Sequence, residues 1–312
     1  MLGTSMQWLK TRLVKRGPDS KLVQTALRTH ARKHGYQVAF ADGTIEISKQ
    51  ARTLIVSKST FVQVPILLEC FDLFFDCVEG RSENGSLVLD FSKPAKHRYR
   101  KDGAEFYFPS LPEEDVMGAY TEGYTPQPGD VVWDAGAHAG ATSYYLAKMV
   151  GPTGKVYGFE PDANNYSYLL KNIELHSAQN IIPVKKALSG TTGTARFCMD
   201  GTMCAGITDY LVYSEEAKFE TVPTITFADA CAELGSVPRY VKMDIEGAEV
   251  ATIESARGFL KEHPIHFAIE SYHRVDGEFT YKPLERIFAE IGYRVWSSDK
   301  FGQMFTWAAP KE

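Results

Sequence analysis

Asp130-Val131-Val132-Trp133-Asp134-Ala135-Gly136-Ala137-His138-Ala139-Gly140, running on into Thr142–Val150, is the stretch whose reading decides the fold. Val131-Val132-Trp133 is a short apolar strand, residues 142–150 have helical spacing, and a turn with two glycines joins them. Leaving a parallel strand to begin a helix needs a sharp turn, and glycine lets backbone approach a ligand without a Cβ in the way. The helix start beyond it offers free N–H groups and the positive end of a dipole. Outward from this turn the alternation repeats. Strands are predicted at Lys155–Phe159, Ile181–Val184, Tyr240–Met243 and Ile265–Ile269. Helices are predicted from Asp162, as N-cap, to about His176, and at Thr226–Leu234, Ala248–Leu260 and Pro283–Ile291. Tyr293–Ser297 with Met304–Ala308 make a closing hairpin, and residues 188–225 an inserted one with arms Gly193–Met199 and Phe219–Ile225. Such alternation predicts an α/β fold: a doubly wound, mostly parallel sheet covered on both faces.

The half before this region reads differently. Residues 1–117 are expected to form a basic helical arm and a small α/β cap that helps to select substrate, and residues 118–312 the main domain. Residues 5–34 suggest one or two basic helices broken at Gly17-Pro18, with Leu9, Leu13, Leu22 and Leu27 as apolar contacts. Asp42-Gly43 marks a tight hairpin between two strands within Tyr36–Ser48. Phe61–Val78 reads as a buried helix after Pro65, and Leu87–Phe91 and Glu105–Phe108 as strands.

Composition excludes several classes. The 312 residues carry a net charge of −5, against a generally basic nucleic-acid binder, and 44% hydrophobic residues, against a disordered polyelectrolyte. The charge is uneven: residues 1–35 sum to +7 and the rest to −12. The basic start serves an anionic partner, an acidic acceptor, the other subunit of a homo-oligomer, or only a solvated helix face. No apolar run is long enough to span a membrane, and no secretory signal is evident at the start. Five scattered cysteines, Cys70, Cys77, Cys198, Cys204 and Cys231, fit neither a zinc site nor a disulfide framework. Reduced thiols in a cytoplasmic protein are expected.

Three acidic motifs carry the chemistry. Asp134 precedes the first glycine where a dinucleotide enzyme would have GxGxxG, and a carboxylate there repels a pyrophosphate but suits an ammonium or sulfonium. That favours S-adenosylmethionine over a nicotinamide cofactor, although Asp-x-Gly is also an ordinary capped turn. Glu160 ends the next strand, where it can accept both ribose hydroxyls. Lys242-Met243-Asp244-Ile245-Glu246-Gly247-Ala248-Glu249 ends a later strand in a carboxylate cluster that needs a cation, a proton or a helix dipole to offset it. For Glu249 the plain role of a first-turn helix acid is favoured. Glu270 closes the following strand with His273 three residues on, so Asp244, Glu246, Glu270 and His273 are expected at one rim.

Together these residues resemble the FkbM-type S-adenosylmethionine-dependent methyltransferases. The likeness rests on Tyr124–Val132, Asp134–Gly140, Phe159-Glu160-Pro161, Asn172, Lys242–Glu249 and Ile269-Glu270, and covers about residues 118–296. His138 stands where such proteins often have Asn. The resemblance implies a seven-strand, Rossmann-like methyltransferase sheet and methyl transfer to, most often, a hydroxyl oxygen of a small molecule such as a secondary metabolite or sugar-bearing intermediate. It implies that Asp134, Gly136 and Gly140 shape the methionine pocket and that Glu160 holds the ribose, with Ala137, His138, Pro161 and Asp244 also binding the cofactor. Lys186-Ala187-Leu188 would border the adenine.

An alcohol acceptor must lose a proton, which calls for a base. Asp244 is the first choice for base or acceptor anchor, then Glu270, His273 and His138. Glu122, Tyr124, Glu246 and Tyr272 are candidate acceptor contacts. Asp244 with Glu246 or Glu270 would also suit a hard divalent ion, but an ordinary polar cleft explains the acids equally and no metal is expected. N-methylation of an amine or peptide is the alternative reaction. A non-catalytic binding protein is disfavoured by so many acids around one crevice.

Overall fold

A computed structural model describes residues 16–113, 117–199, 206–207, 218–275 and 277–311. Residues 1–15, with Leu9 and Leu13, and Cys204 lie outside the described residues. The described chain forms two compact units: residues 16–113 with Lys218, and the remainder.

In the first unit, helix α1 (Lys21–Lys33) buries Val23, Leu27 and Ala31, one residue per turn. Leu22, expected as an apolar contact, lies off that stripe and is 61% exposed. Five strands, β1 (Gln37–Ala41), β2 (Thr44–Lys49), β3 (Arg52–Ser57), β4 (Arg81–Glu83) and β5 (Ser86–Phe91), form a sheet in the order β1-β2-β3-β5-β4. Strands β6 (Ala95–Arg98) and β7 (Glu105–Phe108) make a separate antiparallel pair. The single helix expected over Phe61–Val78 is three pieces: a 3-10 turn at Lys58–Gln63, α2 (Val64–Glu69) and α3 (Phe71–Cys77). Proline near the start of α2 suits a helix beginning, where no amide hydrogen is needed, better than an interior.

The second unit opens with a helical turn, α4 (Met117–Tyr120), before β8 (Val131–Ala135), α5 (Ala141–Val150), β9 (Lys155–Phe159), α6 (Ala163–Leu175) and β10 (Ile181–Val184). Strands β11 (Ala187–Leu188), β12 (Gly193–Met199), β13 (Gly206–Ile207) and β14 (Lys218–Ile225) form a side sheet in the order β11-β14-β12-β13. The chain returns through α7 (Phe227–Leu234), β15 (Tyr240–Met243), α8 (Glu249–Ser255), α9 (Arg257–Glu262) and β16 (His266–Glu270). A short pair, β17 (Arg274–Val275) and β18 (Glu278–Phe279), leads to α10 (Tyr281–Glu290), β19 (Arg294–Ser298) and β20 (Phe305–Ala309).

The main sheet runs β10-β9-β8-β15-β16-β20-β19. The five strands from β10 to β16 are parallel, and β20 and β19 are antiparallel additions, so the sheet is mixed. Pleating splits each central strand between two cores. Trp133, Val241, Met243 and Phe267 pack with Phe227, Ile253 and Leu284 from α7, α8 and α10. Val132, Tyr240 and Ala268 pack instead with Leu146 of α5 and Tyr120 of α4. Helices therefore cover both faces.

The helix expected over Ala248–Leu260 divides at Ala256, which ends α8 and starts α9. Thr252 Oγ1 donates to the Ala248 carbonyl and Ser255 Oγ to that of Thr252, bonds of the kind that bend a helix. Pro183 lies within β10, whose one neighbour in the sheet is β9. Proline lacks an amide hydrogen, which confines it to sheet edges.

Candidate active site

The turn after β8 is set by contact with β15. Gly136 has φ +81°, and a Cβ there would lie 1.8 Å from the carbonyl oxygen of Asp244. The N–H groups of Gly136 and Ala137 both donate to the Phe159 carbonyl, at 3.0 and 2.9 Å. Gly140, at φ +85°, starts α5, and Asn172 of α6 holds the preceding residue by donating Nδ2 to the Ala139 carbonyl at 2.9 Å. His138 has φ +48°, a left-handed conformation uncommon outside glycine but one that His, like Asn and Asp, enters more readily than most residues. Its N–H donates to Glu160 Oε2 at 2.9 Å, while Glu160 Oε1 accepts from the Asp162 N–H at 2.9 Å. Glu160 is thus pinned between the turn and the start of α6, with half-buried Pro161 beside it. Burial pushes its carboxyl up to about 8, against the two N–H donors that favour the anion.

Asp134 is fully buried, and its charge is met inside the protein. Across the strand register Lys242 stands opposite it, with Nζ 3.0 Å from Asp134 Oδ1. Ser143 Oγ donates to the other carboxylate oxygen at 2.5 Å. Lys242 Nζ also donates to the Gly136 carbonyl at 2.7 Å. The carboxylate expected to face a sulfonium therefore fixes the turn through Lys242, which spacing alone did not single out. Tyr120 lies below, its ring centroid 5.5 Å from Lys242 Nζ and its hydroxyl donating to Glu270 Oε1. Gln303 Nε2 donates to Glu270 Oε2 at 2.8 Å.

A second group gathers where β15 gives way to α8. His273 Nδ1 is 3.3 Å from Glu249 Oε1, and Nε2 is 3.4 Å from Glu246 Oε2 and 3.8 Å from Asp244 Oδ1. Glu249, expected as an ordinary helix acid, is completely buried, and Oε1 accepts from the N–H groups of Ile245 and Gly247 at 3.1 Å each. Burial opposes a charge on His273, but Glu249 and Glu246 outweigh it and hold the imidazole well above its usual range. Burial raises Glu246 to about 7, with His273 pulling it down and Asp244 and Glu249 pushing it up. Burial likewise resists ionisation of Glu249, but His273 and two backbone N–H groups bring it below the usual range. Donor atoms of Asp244, Glu249 and His273 lie within 4.8 Å of one another. Glu270 ends the neighbouring strand at the same rim, next to Asp244 in the register, and there Tyr120 and Gln303 donate to it.

Other expected contacts lie elsewhere. Tyr124 donates to Asp130 Oδ2 at 2.8 Å and stacks on His266, centroids 4.1 Å apart. Asp130 precedes β8 and His266 begins β16, so Tyr124 belongs to the amino edge of the sheet, opposite Asp244. A contact before the first strand can serve either edge, and sequence spacing did not decide between them. Glu122 pairs with Lys300, in the turn between β19 and β20. Tyr272 packs on His273, centroids 4.3 Å apart. Ala187 is buried with Ala248 and Ile245, close to the β15–α8 turn, while Lys186 pairs with Glu233.

A sheet whose first parallel strand ends in a glycine turn, with the next strand's acid folded back upon it, defines an α/β domain of the methyltransferase-like kind. The family model described as the methyltransferase FkbM domain matches residues 134–295, and the chain belongs to that family. Among curated proteins, protein-L-isoaspartate O-methyltransferase of Aeropyrum pernix is 35% identical over 69 residues, covering 22% of this chain and 26% of that protein. Among solved structures, methyltransferase FkbM from Methylobacillus flagellatus matches with a TM-score of 0.44 and 18% identity, over 58% of this chain and 43% of that one. Aeropyrum pernix fibrillarin, solved with natively bound S-adenosyl-L-methionine, matches with a TM-score of 0.40 and 14% identity, over 74% of this chain and 97% of that one. The chain thus spans about a quarter of the curated relative and under half of the FkbM structure.

Proposed function

We infer that the protein transfers a methyl group from S-adenosylmethionine to a hydroxyl oxygen of a small-molecule acceptor. The observation that carries this is Glu160, a buried carboxylate at the end of β9, fixed by the N–H groups of His138 and Asp162 beside the glycine turn. A carboxyl so placed is suited to accept from two neighbouring ribose hydroxyls. Gly136, where even a methyl side chain would strike Asp244, keeps the turn's backbone close to β15.

S-adenosylmethionine supplies an electrophilic methyl carbon; the protein's work is to hold the acceptor in line with it and to exclude water. Asp244, one quarter exposed between the glycine turn and His273, is the anchor for the acceptor's hydroxyl. The carboxylate group around His273 favours oxygen over nitrogen as the methylated atom, because a neutral amine needs no base to attack. Tyr272, packed on His273, is offered as a contact for the acceptor.

Calorimetry with S-adenosylmethionine, S-adenosylhomocysteine and NAD tests the cofactor. Binding of the first two and not the third is expected, and Glu160→Ala should weaken both by at least about tenfold. Binding of NAD alone, or an unchanged affinity in the variant, would overturn the assignment. Release of S-adenosylhomocysteine with sugars and phenols, but not with amines, is the expected acceptor pattern.

A further inference from the structure

We propose that Glu246 is the base for the acceptor's hydroxyl, and that Glu249 and His273 are the positioning residues that hold it. The proposal rests on the methyl-transfer reading above and adds the residue that takes the proton.

Two independent observations carry it. The first is a chain of three side chains drawn from separate elements. Glu249, at the start of α8, is immobilised by two backbone N–H groups and set against His273 Nδ1. The buried ring is held between carboxylates by ion-pair distances: with Nδ1 set against Glu249, Nε2 faces Glu246 and, a little further off, Asp244. The second is the backbone of Glu246, which has φ +55°. A residue with a Cβ in this region stores strain, and such strain persists where surrounding structure over-determines the conformation, as at functional sites. Here it turns the Glu246 side chain back to His273 instead of letting it run on into α8.

Glu246 differs from its neighbours in a way that suits proton transfer. Glu249 is wholly inaccessible and committed to the backbone; Glu246 retains 13% exposure of its side chain. Burial raises its proton affinity above that of a free carboxyl, the direction that makes a carboxylate a better base. The charged groups that meet it are His273, Asp244 and Glu249. In the step, the acceptor's O–H bond breaks and the proton passes to a Glu246 carboxylate oxygen. The pair left on the acceptor oxygen forms the new O–C bond, as the methyl carbon's bond to sulfur breaks and leaves its pair on sulfur.

The test uses the full chain, with the best hydroxyl acceptor from a panel of sugars and phenols, and release of S-adenosylhomocysteine as the rate. Glu246→Gln should lower kcat by about 100-fold or more with S-adenosylmethionine affinity unchanged, and Glu246→Asp should restore part of it. His273→Gln removes the cation that holds Glu246 down, so the acid limb of the kcat profile should move up by about one to three pH units. Glu246→Gln at the wild-type rate, or an unmoved limb in His273→Gln, overturns the proposal. So does activity that requires an added divalent ion whose binding these variants weaken. An NMR titration of the imidazoles decides independently of any acceptor: Glu246→Gln should bring the His273 titration down, and an unchanged titration overturns the relay. Failure to bind S-adenosylmethionine at all would count against the reading underneath.

Discussion

At Lys242 a charged side chain stands nearly fully buried on the central strand of the sheet, made tolerable by Asp134 beside it. Removing one member of such a pair leaves the other charge buried without compensation. Lys242→Met should therefore cost about 3–5 kcal/mol in urea unfolding, and adding Asp134→Leu should recover most of it. A single variant losing under about 1 kcal/mol would show that the pair is not what stabilises the turn. Glu160 makes a prediction about pH. Its folded pKa, about 8, lies above that of a free carboxyl, so the free protein loses stability as pH rises from about 4.5 to 8. Ribose hydroxyls donate to the anion, so S-adenosylmethionine binding should release close to one proton at pH 7 and none above about pH 9. Calorimetry in buffers of different ionisation enthalpy reads this directly, and binding without proton release at pH 7 would contradict it. Asp134 and Glu160 were legible in the sequence because strand ends with acids are visible as spacing. Lys242 was not, because its partner is fixed by the register between β8 and β15.

The elements were legible where periodicity is strong. Strands β10 and β15 match their sequence limits, and Asp162 caps α6 through Oδ1, accepting from the N–H groups of Asn164 and Asn165 at 2.8 Å each. Asp162→Ala should cost about 1–2 kcal/mol of stability and, by loosening the residue whose N–H holds Glu160, weaken cofactor binding as well. A stability loss with affinity intact would separate the two roles. What periodicity does not carry is side-chain bonding back to a helix's own carbonyls, which divides α8 from α9 at Ala256, and the choice between the two edges of a sheet. Chain order alone cannot choose an edge for Tyr124; its hydroxyl belongs to Asp130 at the amino edge. Glu249 is the first-turn helix acid that spacing predicts; what spacing does not carry is that the turn's N–H groups converge on it.

Across the whole chain, the residues proposed for cofactor and proton transfer come from the second unit, which opens with α4 (Met117–Tyr120). A fragment of residues 118–312 is accordingly expected to bind S-adenosylmethionine, and a fragment that folds yet shows no binding would place part of the site before it. The described portion of the +7 region includes α1, which turns Val23, Leu27 and Ala31 inward and leaves its basic residues outside that stripe. Among the described residues, no helix is long and apolar enough to cross a membrane. The mixed main sheet is open, and its β10 edge contains Pro183. A strand arriving there to extend the ladder would find one position with no hydrogen to offer, so this border resists templating by a second chain. Pro183→Val should remove that protection without altering the interior strands, and light scattering during slow heating should then rise earlier than in the wild type. The proline would thus act as a guard against fibre-like growth.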